Sequence, residues 1–291
     1  MGRKLIIVSG PTAVGKTAWS IGLAQKYDSP IISCDSRQIY KELSIGTAVP
    51  SPEELAAVKH YFIQDHSIHQ PYTAGDYEVE ALALMERLFA DGHEVLVASG
   101  GSGFFVEALC SGLPDVPKAD AQLRRELTER LEKEGLESLR MDLRRLDPEA
   151  YRTIDITNPQ RVLRAVEVCL LSGRTFSSFK QSEPKKRDFE IEKICLVRPR
   201  EVMAERISLR VDQMIKDGLV EEVRGLIPYR DLPALRTVGY AEVFEYLDGV
   251  CTLEQAAEKI KTNTRHYAKR QLTWWRRDPN VKFNWLPHKG I

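Results

Sequence analysis

Apolar and polar positions alternate in two different ways along the chain. KLIIVS (4–9), PIISC (30–34), EVLVAS (94–99) and EIEKICLVRP (190–199) are short, mostly apolar runs rich in β-branched residues, bounded by Gly, Pro or charged residues. Runs of that kind predict strands buried on both faces of a parallel sheet. Between them, TAWSIGLAQKY (17–27) and GDYEVEALALMERLFADG (75–92) repeat apolar residues at helical spacing, the second ending on a glycine. GGSGFFVEALCSG (100–112) reads as a turn into a helix. Strand alternating with helix predicts an α/β core with a parallel sheet covered on both faces.

The pattern changes in the middle. From about residue 118 to 172 no strand-like run occurs, and ADAQLRRELTERLEKEG, LESLRMDLRRLD and NPQRVLRAVEVCLLSG all carry helical periodicity. KQSEPKKRD (180–188) reads as an exposed polar loop, and so does HYFIQDHSIHQPY (60–72). After the fourth strand the chain is mainly helical, with VKFNWL (281–286) as a last strand. The expected division is 1–117 with 186–291 as an α/β core with C-terminal helices, and 118–185 as a helical insertion. No internal repeat or low-complexity tract interrupts this order.

Composition changes the picture little. The 291 residues hold 43% hydrophobic positions, enough for a real core, and 42 basic residues balance 42 acidic ones. A polyanionic partner must therefore be sought in local clusters. Cys34, Cys110, Cys169, Cys195 and Cys251 are scattered and odd in number, which argues for buried thiols in a reducing cytosol and against a disulfide framework or zinc site. No run reaches the ~18 apolar residues of a membrane span, and MGRK leads straight into a strand without a signal peptide, so a cytoplasmic, membrane-free protein is expected.

The candidate chemistry begins directly after the first strand. Gly10, Pro11, Thr12, Ala13, Val14, Gly15, Lys16 and Thr17 form GPTAVGKT, a phosphate-binding loop between a strand and a helix. Its backbone N–H groups and helix dipole suit phosphate oxygens, with Lys16 on phosphate and Thr17 on a magnesium ion. The acid that should end a further strand and help hold that metal is missing, because EVLVAS runs into Gly100 and Gly101. An acid follows the second strand instead, Asp35. It sits where an open α/β sheet places its chemistry, either as general base or metal contact or as a cap for the next turn. Ser102 could aim a hydroxyl into the same crevice or simply close a tight turn.

Two basic elements stand out. Lys259 to Arg277, KIKTNTRHYAKRQLTWWRR, holds seven Lys or Arg and no acid, with Tyr267, Trp274 and Trp275 interleaved. Charge and flat rings together suit nucleic acid, whereas a solvated basic face over core tryptophans is the structural alternative. Lys261, Arg265, Lys269 and Arg277 are spaced by multiples of four and are expected to form one stripe. NPQRVLR places Arg161 and Arg164 on one helical face, with Asn158 as cap and Pro159 as first residue, either for RNA or for salt bridges.

Taken together, GPTAVGKT, DSRQIY, IGTAVP, YTAGDY, GGSGFF, NPQRVLRAVEV, VGYAE and RHYAKRQLTWWRR resemble, in order and over nearly the full chain, the tRNA dimethylallyltransferases. GGSGFF has serine where the family more often has threonine, and VGYAE lacks the lysine of the commoner GYKE. The resemblance implies a fold like that of phosphate-loop NTPases, and a loop that holds dimethylallyl diphosphate rather than a phosphoryl donor. It implies attack by the exocyclic amine of an adenine flipped out of the tRNA anticodon loop, with Mg2+ as cofactor and no obligate protein partner. It also implies Asp35 as base, Arg210 on the leaving diphosphate and Ser102 beside them. By the same resemblance, Asp35, Ser36, Arg37 and Gln38 hold the base, and Ser102, Arg124, Gln160, Arg161, Arg164, Lys269 and Arg270 meet the RNA. A small-molecule kinase, a prenyltransferase acting on free adenine nucleotides and a non-catalytic RNA-binding protein share parts of this pattern.

Overall fold

The computed structural model describes residues 2–180 and 184–287. The strands are β1 (Lys4–Ser9), β2 (Ile31–Ser33), β3 (His60–Tyr61), β4 (Val95–Ser99), β5 (Glu190–Val197) and β6 (Val281–Trp285). Among the described residues they form one all-parallel sheet in the order β3-β2-β4-β1-β5-β6. The first helices are α1 (Lys16–Lys26), α2 (Pro52–Ala57), α3 (Ala74–Ala90) and α4 (Gly103–Ser111). Next come α5 (Ala121–Glu134), α6 (Leu136–Leu146), α7 (Pro148–Thr153), α8 (Pro159–Ser172) and α9 (Phe176–Lys180). After β5 follow α10 (Arg200–Lys216), α11 (Leu219–Gly225), α12 (Tyr240–Leu247) and α13 (Leu253–Trp275).

The central strands are apolar for the reason the sequence suggests. Leu5, Ile7, Val8, Ile32, Leu96, Val97, Ala98 and Leu196 lie in a sheet with helices on its faces and are fully buried. Each large side chain hidden in this way contributes about 1.5–3 kcal/mol. Pairing is in register at the strand ends: Val8 lies opposite Ser99, Ser99 opposite Ser33, and Ser9 opposite Cys195. The segments that leave β1, β2, β4 and β5 therefore emerge at one level, on the carboxyl edge where open α/β sheets carry their sites.

The chain divides into two compact units, Met1–Ser111 with Lys186–Ile291, and Gly112–Lys185. The second unit is all helical and has its own core of Leu127, Leu139, Leu143, Ala150, Val162, Leu163, Ala165 and Val166. Gly112 to Pro117 group with it, and Arg164 Nη2 donates to the Pro117 carbonyl at 2.7 Å.

Several expectations need correction. HYFIQDHSIHQPY is not simply an exposed loop: it supplies edge strand β3, and Phe62 and Ile68 are buried. In KQSEPKKRD, residues 181–183 lie outside the described residues. Arg187 of that stretch turns inward, bonding Glu78 at 3.0 Å and the carbonyls of Ala108 and Leu109. The basic stripe on α13 does not form either. A step of four residues overshoots the helical turn by ~40°, so the spacing drifts around the helix. Lys261 is half-buried and paired with Asp212 and Glu258, Lys259 pairs with Glu245, and Arg277 lies past the helix end. Trp275 belongs to the core.

Candidate functional site

The phosphate loop is shaped by three residues at positive φ, Gly10 at 142°, Ala13 at 65° and Gly15 at 107°. Gly15 caps α1 and takes a backbone that a side chain would strain. Cationic side chains surround the loop and grip its carbonyl oxygens. Lys16 Nζ donates to the carbonyls of Gly10 and Pro11 at 3.0 and 2.9 Å. Arg198, just past β5, donates Nε to Val14 O at 2.9 Å, and Arg206 of α10 donates Nε to Ala13 O at 2.8 Å. One turn further along α10, Arg210 Nη1 stands 3.5 Å from Thr12 Oγ1. Thr12 N donates to Gln271 Oε1 and Val14 N to Pro11 O; with the carbonyls held by cations, the N–H groups of Ala13, Gly15, Lys16 and Thr17 are left for an anion.

Among the described residues, neither Lys16 nor Arg210 forms a salt bridge. Burial lowers the Lys16 ammonium to about 8, Asp35 opposes that shift, and Arg210 adds to it. Burial and Arg206 likewise lower Arg210. A site that disfavours its own cations is completed by an anionic ligand.

Asp35 follows β2. Its Oδ1 accepts from the N–H groups of Arg37 and Gln38 at 2.9 and 3.3 Å. The carboxylate thus anchors a turn, as the capping alternative expects, and among the described residues Oδ2 has no hydrogen bond. The two readings of Asp35 are compatible, because the turn uses only one of its oxygens. Ser102 locks this turn: its Oγ accepts from Ser36 N and donates to Ser36 Oγ, both at 3.0 Å. The Gln38 side chain turns inward, donating to Thr47 O and Ala48 O at 3.1 and 2.7 Å. No acid follows β4; Ser99 Oγ there accepts from Ser20 of α1 at 2.8 Å.

Beside Arg210 lies a cavity of about 600 Å³, walled by Ile45, Ala48, Val49, Pro50, Leu55 and Met214. One carboxylate holds its 44–50 wall. Glu222 of α11 accepts from Ser44 N, Ile45 N and Gly46 N at 3.2, 2.7 and 3.1 Å, and from Tyr240 Oη at 2.6 Å.

One face of α13 runs along this edge through Tyr267, Arg270, Gln271 and Trp274, at steps of three and four, with Gln271 buried and Tyr267 and Arg270 exposed. Loss of water around its hydroxyl, then the charge of Asp35, push the Tyr267 phenol up to about 12. The Arg270 guanidinium lies 5.7 Å from the Tyr267 ring. The Trp274 ring lies 5.0 Å from the ring of exposed Phe104. Lys269 and Arg270 are exposed, and among the described residues neither is in an ion pair.

The helical unit meets its expectations unevenly. Asn158 caps α8 by accepting from Gln160 N and Arg161 N, and both of those side chains are exposed. Arg124 and Arg164 clamp the fully buried Glu167 carboxylate from two sides, and both hold it below the usual carboxylate range against the opposing effect of burial. For these two arginines the salt-bridged alternative describes the geometry. Sequence reasoning passed over Gln271, Glu222, Arg198 and Arg206. Gln271 lies inside a stretch already singled out for its charges and rings, but nothing local marks a glutamine or a glutamate as a brace.

Fold and site together define a phosphate-loop α/β protein whose loop is ringed by cations, with an aspartate in the turn after β2 and no hydrolytic acid on β4, the strand between. The IPP transferase family matches residues 38–278. The chain is 47% identical over 279 residues to tRNA dimethylallyltransferase 1 of Bacteroides thetaiotaomicron, covering 96% of this chain and 90% of that protein. It is 48% identical over 287 residues to tRNA dimethylallyltransferase of Flavobacterium johnsoniae, covering 97% and 93%. The crystal structure of a Bacillus halodurans tRNA isopentenylpyrophosphate transferase superposes with a TM-score of 0.70 at 36% identity, covering 97% of this chain and 90% of that one. A eukaryotic dimethylallyltransferase shares the fold, with a TM-score of 0.82 at 24% identity over 97% and 74% of the two chains. The chain belongs to the IPP transferase family.

Proposed function

We propose that the protein transfers a dimethylallyl group from dimethylallyl diphosphate to the exocyclic N6 amine of the adenosine 3′ of the anticodon in tRNA, releasing diphosphate. One observation carries the reading. Among the described residues Lys16 and Arg210 converge on the phosphate loop without salt-bridge partners, the charge of Asp35, in the turn after β2, reaches Lys16, and β4 between β1 and β2 lacks the acid that hydrolysis of a triphosphate would use.

The diphosphate lies on the loop N–H groups, with Lys16 and Arg210 neutralising the charge that grows as it leaves. The cavity walled by Ile45, Ala48, Val49, Leu55 and Met214 takes the apolar tail beside Arg210. The Thr17 hydroxyl has no hydrogen-bond partner among the described residues and suits a divalent cation that takes its other ligands from diphosphate and water. Among the described residues no cluster of three His, Cys, Asp or Glu offers a protein cage instead. We assign the ion as Mg2+; when bound it would supply further charge for the leaving group.

The adenine amine is a weak nucleophile because its lone pair is shared with the ring. Asp35 Oδ2 takes the proton as the N–C bond forms, and the electron pair of the breaking C–O bond leaves on diphosphate. The flipped adenine rests against Asp35, Ser36, Arg37 and Ser102. Lys269, Arg270, Gln160 and Arg161 meet the RNA backbone. Arg124 and Arg164 act on RNA chiefly by holding α5 and α8 together through Glu167.

The test supplies labelled dimethylallyl diphosphate with unmodified tRNA, AMP or ATP. Label in tRNA alone is expected. Label on AMP alone, or phosphate transfer from ATP, would refute the reading. Among the described residues no helix is long and apolar enough to cross a membrane.

A further inference from the structure

Gln271 is an uncharged side chain on the inner face of α13, 6% exposed, and both ends of its amide are engaged by backbone. Its Oε1 accepts from the N–H of Thr12 in the phosphate loop at 2.8 Å. Its Nε2 donates to the carbonyl of Gly101 in the turn after β4 at 3.0 Å. The fit at Gly101 is tight: a Cβ there would stand 2.1 Å from Gln271 Nε2, so only glycine admits the amide. The two segments it joins carry the two halves of the reaction. Thr12 belongs to the loop that holds diphosphate. Gly101 leads into Ser102, which fixes Ser36 and with it the Asp35 turn.

We propose that Gln271 is a positioning residue that sets the spacing between the diphosphate site and the Asp35–Ser102 site, and so aligns the allylic carbon with the attacking amine. The inference rests on the functional reading above. Displacement at carbon needs reacting atoms ~3–3.5 Å apart and in line, and a 1 Å error costs on the order of 100-fold in rate. The strands beneath are already paired, with Gly100 N donating to Val8 O, and the amide adds a tie beyond the last strand pair that fixes the spacing of the two turns themselves. Gln271 touches neither reactant. Its loss therefore leaves each binding site intact and spoils their alignment.

Misalignment has its own chemical signature. Water can attack the allylic carbon in place of the amine. A C–O bond to water then forms, the C–O bond to diphosphate breaks, a proton is released, and dimethylallyl alcohol appears. The test measures kcat, KM for each substrate, and the division of label between tRNA and dimethylallyl alcohol. Gln271→Met keeps the length of the side chain and removes both hydrogen bonds. Gln271→Glu keeps the acceptor for Thr12 and loses the donor to Gly101. Gly101→Ala pushes the amide aside without touching α13. For Gln271→Met and Gly101→Ala, kcat is expected to fall by roughly 10–100-fold, with KM values within about threefold and a larger alcohol fraction. Gln271→Glu should fall between these and the wild type. A kcat within about threefold of wild type in Gln271→Met, or a loss with unchanged division between tRNA and alcohol, would overturn the proposal. A purely structural role predicts the second pattern, since a smaller folded fraction lowers both products equally. If the wild-type protein does not label tRNA at all, the functional reading fails first, and that result is distinct from either of these.

Discussion

Lys16 makes a quantitative test of the diphosphate site. In the free protein its ammonium is lowered to about 8, first by burial and further by Arg210, while Asp35 pulls the other way. The sign follows from which form binds. Dimethylallyl diphosphate, a monoester, is fully ionised above pH ~7, because the last proton of such an ester titrates near 6. It binds the charged lysine, and its own charge raises Lys16 again once seated. Affinity is therefore full well below pH 8 and falls as pH rises through that value. About half of Lys16 is charged at pH 8 and about a tenth at pH 9, so Kd should weaken about twofold and about tenfold from its plateau. Binding should also take up a proton, approaching one per site above pH 8. Calorimetric titration with dimethylallyl diphosphate at pH ~6.8 to ~9.5, in buffers of differing ionisation heat, reads both quantities. Lys16→Met should bind weakly with little further pH dependence. A Kd for the wild type that stays constant between pH 7 and 9.5, or the absence of proton uptake, would refute the picture of a lysine whose charge the site disfavours until the anion arrives.

Three further outcomes are expected. Asp35→Asn keeps an acceptor for the Arg37 and Gln38 N–H groups and removes the base, so kcat should fall ~100-fold or more while tRNA affinity by filter binding survives. Glu222→Ala strips three backbone N–H groups and the Tyr240 hydroxyl of their acceptor; it should cost ~3 kcal/mol, lower the melting temperature by at least ~5 °C in calorimetry, and raise KM for the prenyl donor through the slackened 44–50 wall. Joint neutralisation of Lys269 and Arg270 should weaken tRNA binding and flatten the slope of log K against log salt by about 1.5, whereas neutralising Lys261, already paired with Asp212, should leave the slope unchanged.

The motif sites were legible because each depends on a short stretch of chain. GPTAVGKT builds its cradle from its own backbone, DSRQ forms its own turn, and Asn158-Pro159 starts its own helix. Charge patterns were less legible, because their meaning depends on residues far away in sequence. Arg124 and Arg164 were read as RNA contacts, yet both close on Glu167. Lys259 and Lys261 belong to the basic segment of the sequence, yet Glu245 and Asp212 take them up.

From sequence alone came the alternation of buried strands and amphipathic helices, the helical insertion, the phosphate loop with its missing partner acid, and the acid after β2. These are local periodicities and local backbone geometries, which a chain declares wherever it later packs. Only the tertiary structure decided that the loops after β1, β2, β4 and β5 open at one level, that Arg198, Arg206 and Arg210 encircle the phosphate loop, and that Glu222 and Gln271 brace segments at least 170 residues away from them in the chain. Such contacts carry no local signature. A glutamine that spans two loops looks, in sequence, like any other polar residue on a helix, and its role exists only once the sheet has brought those loops within reach of one amide.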